Sequence, residues 1–312
     1  MMAYIFAVDL GGTTVKMGLF EAAGNLLEKW EIDTNKEDQG SHILPDIAAS
    51  IRGKMTEKSI KDSDVAGVGI GVPGAVRDNG DILGAANLGW GTFNVKETLE
   101  GLTGLKVKVG NDANVAALGE MYAGGGKGYN SIVAVTLGTG VGGGVVIDGK
   151  IVCGANGAGG EIGHIHVDDD ETEVCGCGNK GCLEQYTSAT GVVRLAKRRL
   201  AADDKASSIR NIENLTCKDV FDAVKEGDEL SIEVAEKFGY ILGKALAQVA
   251  CVVNPEAFVI GGGVSKAGEI LLTFIQKNFV TYTFNGCRNT DFKLASLGND
   301  AGIYGAAKLI ME

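Results

Sequence analysis

The chain has 312 residues and a formal net charge of -11, with 45% apolar and 22% charged residues. That balance excludes a disordered chain and supports a well-buried core of one large or two smaller domains. The acidic excess, without a basic arm, argues against a phosphate-backbone or membrane-surface binder, and no apolar run approaches the ~20 residues that span a bilayer. No basic leader precedes the first strand, so the expectation is a soluble, cytoplasmic protein.

In chain order, the β-favouring run Tyr4 to Asp9 leads into Gly11-Gly12-Thr13-Thr14, and strands are predicted at Val15 to Phe20 and Leu26 to Ile32 around a Gly24-Asn25 turn. Ile43, Ile47, Ile51 and Met55 predict a helix over Ser41 to Ser59. Val65 to Val72 and Lys106 to Val109 read as strands, the second ending at Asn111-Asp112 before a helix from Ala113 to Tyr122. Gly124-Gly125-Gly126 reads as a seam, after which the pattern restarts with Ser131 to Leu137, a glycine loop, Gly144 to Asp148, and a strand from Ile151 onward. Asp9-Leu-Gly-Gly-Thr and Thr136-Leu-Gly-Thr-Gly lie 127 residues apart in the same strand–loop–strand setting, which hints at a duplicated module. Helices follow at Thr187 to Ala202 and Glu229 to Val253, the latter stopped by Asn254-Pro255; Ala201 to Arg210 is expected to be a mobile loop. A strand at Ala257 to Ile260 enters Gly261-Gly262-Gly263, then a helix begins near Lys266, and Asp300 is placed to cap a last helix, Ala301 to Ile310. Strands alternating with helices indicate an α/β fold with partly parallel sheets.

There are 48 glycines, about twice average usage, and they cluster beside apolar strands. Gly138-Thr-Gly-Val-Gly-Gly143 satisfies the dinucleotide pattern G-x-G-x-x-G, but it runs into Val145-Val146-Ile147, a strand, where that motif demands a helix. Gly124-Gly-Gly-Lys127 lacks the Ser or Thr of a phosphate-binding P-loop. A glycine/threonine hairpin loop still presents backbone N–H groups to phosphate, and two of them, Gly11 to Thr14 with hydroxyls on Thr13 and Thr14, and Gly138 to Gly140 with Thr139, suit an ATP tail. Asp9 is placed to hold Mg2+ through water, whereas Lys16 reads equally as functional or as a solvated strand residue.

His164, Cys175, Cys177 and Cys182 form a Cys3His set, the chemistry of a closed structural Zn2+ site. Cys153, Cys217, Cys251 and Cys287 read as buried, inert thiols. Asp112, at a strand end where α/β sheets gather ligands, is a candidate base for phosphoryl transfer, although local sequence alone favours the ordinary reading of a helix N-cap. Glu161 and Glu184 flank the metal set and suit bidentate bonding to sugar hydroxyls; a surface charge is the ordinary alternative for each.

Asp9-Leu-Gly-Gly-Thr, Asn111-Asp112-Ala-Asn, Leu137-Gly-Thr-Gly-Val-Gly-Gly-Gly, Gly160-Glu-Ile-Gly-His164, Cys175-x-Cys-Gly-x-x-Gly-Cys182-Leu-Glu184 and Gly261-Gly-Gly occur in order. The set resembles the ROK family of bacterial sugar kinases and repressors over essentially the whole chain. The resemblance implies the actin-like, hexokinase-type ATPase fold, with two ribonuclease-H-like domains and an interdomain cleft. The expected division is 1–122 plus 300–312, completed by the C-terminal helix, and 123–299 with the zinc motif. It further implies Asp112 as base, with Asn111, Glu161, His164 and Glu184 on the sugar and His164 also on zinc. The phosphates would lie at Gly11–Thr14 and Gly138–Gly140, and adenosine near Gly262 and Gly263. Glu184-Gln-Tyr-Thr-Ser-Ala-Thr-Gly-Val-Val-Arg194 is most similar to ATP-dependent glucokinases, which implies D-glucose and ATP as substrates, Mg2+ and structural Zn2+ as cofactors, and a homodimer or higher homo-oligomer. The chain departs from the family at Asn87-Leu-Gly-Trp90, where relatives carry a proline between Leu and Gly. The helix-turn-helix of the repressors is not found ahead of Asp9. Rival expectations are another hexose or N-acetylhexosamine acceptor, or a β-glucoside, and a sugar-sensing regulator. A zinc hydrolase would need an open metal position, which Cys3His does not provide.

Overall fold

The computed structural model describes residues 3–311. In chain order it contains β1 (Tyr4–Leu10), β2 (Thr14–Glu21), β3 (Leu26–Asp33), α1 (Glu37–Gly40), α2 (Ile43–Lys58), β4 (Val65–Val72), β5 (Asp81–Ile82), β6 (Phe93–Asn94), α3 (Val95–Thr103), β7 (Val107–Asn111) and α4 (Asp112–Ala123). It continues with β8 (Ile132–Leu137), β9 (Val141–Ile147), β10 (Lys150–Ile151), α5 (Glu184–Thr187), α6 (Ala189–Ala202), α7 (Cys217–Lys225) and α8 (Glu229–Val253). The last elements are β11 (Ala257–Gly261), α9 (Glu269–Tyr282), β12 (Asp291–Leu294) and α10 (Ala301–Met311).

Contacts divide the chain into two compact units. One holds the residues up to Gly128, Gly144–Gly160 and the chain from Asn299 onward; the other holds Tyr129–Gly143 and Glu161–Gly298. The division expected from sequence puts 144–160 with the second domain, whereas contacts group it with the first.

The two five-stranded sheets run in the orders β3-β2-β1-β4-β7 and β10-β9-β8-β11-β12. Each begins with antiparallel neighbours (β1 with β2, β2 with β3; β9 with β10) and ends with parallel ones (β1 with β4, β4 with β7; β8 with β11, β11 with β12). One strand order used twice is what a duplicated module would produce.

In the first unit, strand alternation sorts β1 onto two cores. Phe6, Val8 and Leu10 pack with Ile47 and Ile51 of α2 and Leu99 of α3. Ile5 and Ala7 face the other way, with Val115 of α4 and Ile303, Ala306 and Ala307 of α10. Asp9 shares the Ile5 and Ala7 face by the same alternation. The α10 helix comes close because glycines leave room: a Cβ on Gly305 would lie 1.7 Å from the Val115 carbonyl oxygen, and one on Gly119 would lie 2.1 Å from that of Ala301.

In the second unit, α8 starts at an Asp228 cap and ends at Asn254, in the left-handed region at φ 44°, just before Pro255. The sequence-based helix over Thr187 to Ala202 is two helices. Ser188 separates them, its hydroxyl accepting from the Gly191 N–H at 3.0 Å. The helix expected near Lys266 is a 3-10 turn, Val264–Ala267, followed by α9. The strand expected from Ile151 onward stops there, and the run from 141 to 143, read as loop, is already strand. Cys217 and Cys287 are buried as expected, but Cys251 is exposed. The loop expected to be mobile is tied down by Arg210, which donates to the carbonyls of Leu200, Asp203 and Lys205 at 2.6 to 3.1 Å. Among the described residues, no helix is long and apolar enough to cross a membrane.

Candidate functional site

The expected site residues fall in both units, and each set has its own construction. In the first unit, β7 delivers Asn111 and Asp112 to the start of α4. Asn111 is the N-cap: its side-chain oxygen accepts from the Asn114 N–H at 3.1 Å, while its amide donates to the Gly74 carbonyl at 3.0 Å and to Asp112 Oδ1 at 3.1 Å. The capping alternative weighed for Asp112 is thus met by its neighbour. Asp112 Oδ1 accepts from Asn111 and from the Ala113 N–H at 2.8 Å, so its carboxylate is oriented at the first turn of the helix.

The Gly11–Thr14 loop is a tight turn. Gly11 N–H donates to the Thr14 carbonyl at 3.0 Å, and Thr34 donates to Gly11 and Thr13 carbonyls at 2.8 and 2.9 Å. Asp9 lies 4.0 Å from Lys16 Nζ. Burial pushes the Asp9 carboxyl above its ordinary value, with the lysine charge opposing the rise. Lys16 also donates to the Asn299 carbonyl at 3.1 Å. Gly302 at the start of α10 leaves space for the Asp9 carboxylate, which a Cβ there would meet at 2.4 Å. The departing loop at Asn87–Trp90 is a structural brace: buried Trp90 donates its indole N–H to the Gly40 carbonyl at 3.0 Å.

In the second unit, the Gly138–Gly140 loop repeats the same logic of inward-turned carbonyls. Gly138 N–H donates to the Gly140 carbonyl at 2.9 Å, Ala189 N–H to that of Gly138 at 2.8 Å, and Thr190 Oγ1 to that of Thr139 at 3.0 Å. A loop whose carbonyl oxygens are satisfied within the protein presents less negative charge to an anion. Its setting is the β8–β9 hairpin, and no helix opens at these glycines as a dinucleotide motif demands. Gly262, at φ 83°, packs so closely on Leu137 that a Cβ would lie 2.5 Å from its carbonyl oxygen. Gly263 begins the following turn.

Among the described residues, His164, Cys175, Cys177 and Cys182 bring one donor atom each within 4.8 Å of one another. The Cys177 and Cys182 sulfurs are 3.6 Å apart, and Cys175 Sγ is 4.0 Å from His164 Nδ1. A tetrahedron with ~2.3 Å metal–sulfur bonds has edges of about 3.8 Å, so the donor set fits Zn2+. Burial pushes the Cys182 thiol up to about 12, where a thiolate at neutral pH needs a cation beside it. The nearby His166 is turned aside: Nε2 meets Asp169 at 2.8 Å and Nδ1 meets the Lys180 carbonyl at 3.0 Å.

With Nδ1 toward the metal set, His164 directs Nε2 toward Glu161, whose carboxylate is 3.9 Å away. Glu184 Oε2 accepts from the Val141 N–H at 2.9 Å, and Oε1 lies 3.6 Å from Cys175 Sγ. A Cβ on Gly140 would lie 2.1 Å from the same carboxylate. Glu184 therefore joins the glycine loop to the cysteine motif.

A supporting network was not singled out from sequence. Buried Glu171 accepts from Tyr186, Arg194 and Arg198, and Gln185 ties the Cys182 N–H to the Glu173 carbonyl, both at 3.0 Å. In the sequence, Gln185, Tyr186 and Arg194 lie in the glucokinase-like run and Arg194 and Arg198 are spaced i, i+4 on α6, but neither signal names Glu171 as the partner.

Residues 5–312 match the ROK family. The chain belongs to that family. A glucokinase of Halalkalibacterium halodurans is 44% identical over 98% of this chain and 94% of its own length. A glucokinase of Thermotoga maritima is 37% identical over 99% of this chain and 97% of its own. A ROK family glucokinase of Streptomyces griseus, solved with glucose and AMPPNP, superposes with a TM-score of 0.73 at 34% identity, covering 99% of both chains. The fold is the actin-like, hexokinase-type ATPase class.

Proposed function

We propose that this chain is a glucokinase: it transfers the γ-phosphoryl group of ATP to the 6-hydroxyl of D-glucose, giving glucose 6-phosphate and ADP. The observation that carries the reading is the near-full-length identity of 44% to a glucokinase, which includes no large uncovered segment of either chain. The residue geometry supports it. Asn111 takes over the helix cap and orients Asp112, whose carboxylate accepts the 6-hydroxyl proton as that oxygen bonds to phosphorus and the bond to the ADP oxygen breaks. Glu161, His164 and Glu184 bind ring hydroxyls; a metal held on the Nδ1 side of His164 would leave Nε2 as the nitrogen that donates a hydrogen bond. Gly11 and Gly138 close the two loops through their own N–H groups, which leaves the amides of Gly12, Thr13, Thr139 and Gly140 and the threonine hydroxyls to bind phosphate oxygens; Gly262 and Gly263 lie at the adenosine end, and Asp9 would hold Mg2+. His164, Cys175, Cys177 and Cys182 would hold a Zn2+ whose contribution would be structural, fixing the segment that carries Glu184 and His164.

A coupled ADP-release assay over hexoses and N-acetylhexosamines tests the acceptor. Glucose is expected to give the highest kcat/KM. A higher value for an acetylated sugar would reassign the acceptor, and no release with any sugar would end the kinase reading. Asp112→Asn is expected to bind glucose normally and to lose roughly 10²–10⁴ in kcat. Near-normal turnover in that variant would remove Asp112 from the role of base.

A further inference from the structure

The first unit contains a cavity of about 360 Å³ that none of the proposed catalytic or substrate-binding residues lines. Four lysines border it: Lys96 on α3, Lys106 and Lys108 at β7, and Lys150 on β10. Asp78 and Cys153 complete its polar lining, and the Cys153 thiol is hydrogen-bonded to the Asp78 carboxylate.

In a chain of net charge -11, lysines find carboxylates easily. Lys29, Lys54, Lys58, Lys205 and Lys218 each lie 2.5 to 2.8 Å from one. Among the described residues, Lys96, Lys106, Lys108 and Lys150 make no ion pair, although they share one cavity. Lysines on an edge strand discourage sheet-to-sheet association, and β7 is an edge strand. That function accounts for Lys106 and Lys108. It leaves Lys96 and Lys150, which reach the same space from two other elements, unexplained. Asp78 supplies one carboxylate to this lining against four ammonium groups, so the concavity keeps an excess of positive charge that an entering anion would relieve. A volume of this size suits a small molecule, and multidentate N–H donors suit the oxygens of a phosphate.

We propose that this cavity binds a phosphate group, either free or at the end of a small phosphoester. The site flanks β7, the strand whose end carries Asn111 and Asp112, so an occupant would act on the strand that positions both.

The test is isothermal titration of inorganic phosphate, pyrophosphate and glycerol phosphate into the full chain. Saturating AMPPNP is present so that the glycine loops do not contribute. Saturable binding that weakens as salt rises is expected. Lys106→Gln/Lys108→Gln should weaken it at least tenfold, roughly the loss of one charge-assisted hydrogen bond. Lys150→Gln, on a separate hairpin, should weaken it measurably, while Lys29→Gln, whose lysine pairs with Asp300, should leave it unchanged. Tighter binding of glycerol phosphate than of phosphate identifies an ester as the occupant; the reverse identifies the free ion. The proposal fails if none of the three binds saturably, or if the cavity variants, with melting curves like the parent's, bind as the parent does.

Discussion

At the scale of single residues, Glu171 shows how much of this site rests on groups that touch no substrate. Burial opposes its ionisation, yet hydrogen bonds from Tyr186, the Glu173 amide and Arg198, with the Arg194 charge, outweigh that and hold the carboxyl at about 2. Its folded value lies below its unfolded one, so the stabilisation is complete above about pH 4.5 and is lost as pH falls toward 2. Glu171→Gln is expected to cost about 3 kcal/mol at neutral pH, because two guanidinium groups lose their anion. Urea unfolding at several pH values should show the gap between parent and variant closing as pH drops through that window. A gap independent of pH would mean the loss comes from packing. Glu171 itself does not stand out in the sequence, because an acidic residue in a loop is an ordinary surface feature until the fold brings Tyr186, Arg194 and Arg198 to it.

At the scale of elements, regular patterns were legible and crossovers were not. The Ile43, Ile47, Ile51, Met55 spacing gave α2 almost to the residue, and the Asn254-Pro255 stop gave the end of α8. Short α3 and α7 and the edge strand β12 were not predicted; at nine, nine and four residues each is too short to repeat a pattern over several turns or alternations, although α7 buries Cys217, Val220, Phe221, Ala223 and Val224 on one face. The metal set was readable because its ligands are close in sequence and chemically unusual. The roles of Asn111 and Asp112 were not separable, since either residue suits a helix cap and only backbone geometry chooses between them. Glycine positions give the sharpest test of packing. Gly305→Ala puts a methyl group against the Val115 carbonyl and is expected to destabilise by about 1–3 kcal/mol. Gly53→Ala, within α2 and with open space around the new carbon, should stabilise by about 0.5–1 kcal/mol. Thermal melts of the two variants should shift in opposite directions; equal shifts would refute the close approach of α10 to α4.

At the scale of the whole molecule, the two units carry different parts of the proposed chemistry. The base is in one, and the metal motif with its carboxylates is in the other. Removing zinc with a chelator, or substituting Cys177→Ser, is expected to raise the KM for glucose more than that for ATP. Equal losses would assign the metal to the stability of the whole second unit. The α10 helix also sets a sequence of events during synthesis. It supplies Ile303, Ala306 and Ala307 to the core behind β1, yet it is synthesised nearly 300 residues after β1. Most of the second unit emerges before that core can close, although translation begins with the first. The part of the chain made earliest is thus the last to be finished, and until then the apolar face formed by Ile5, Ala7 and Phe20, met by Val115 alone of the other buried residues, lacks the cover of Ile303, Ala306 and Ala307.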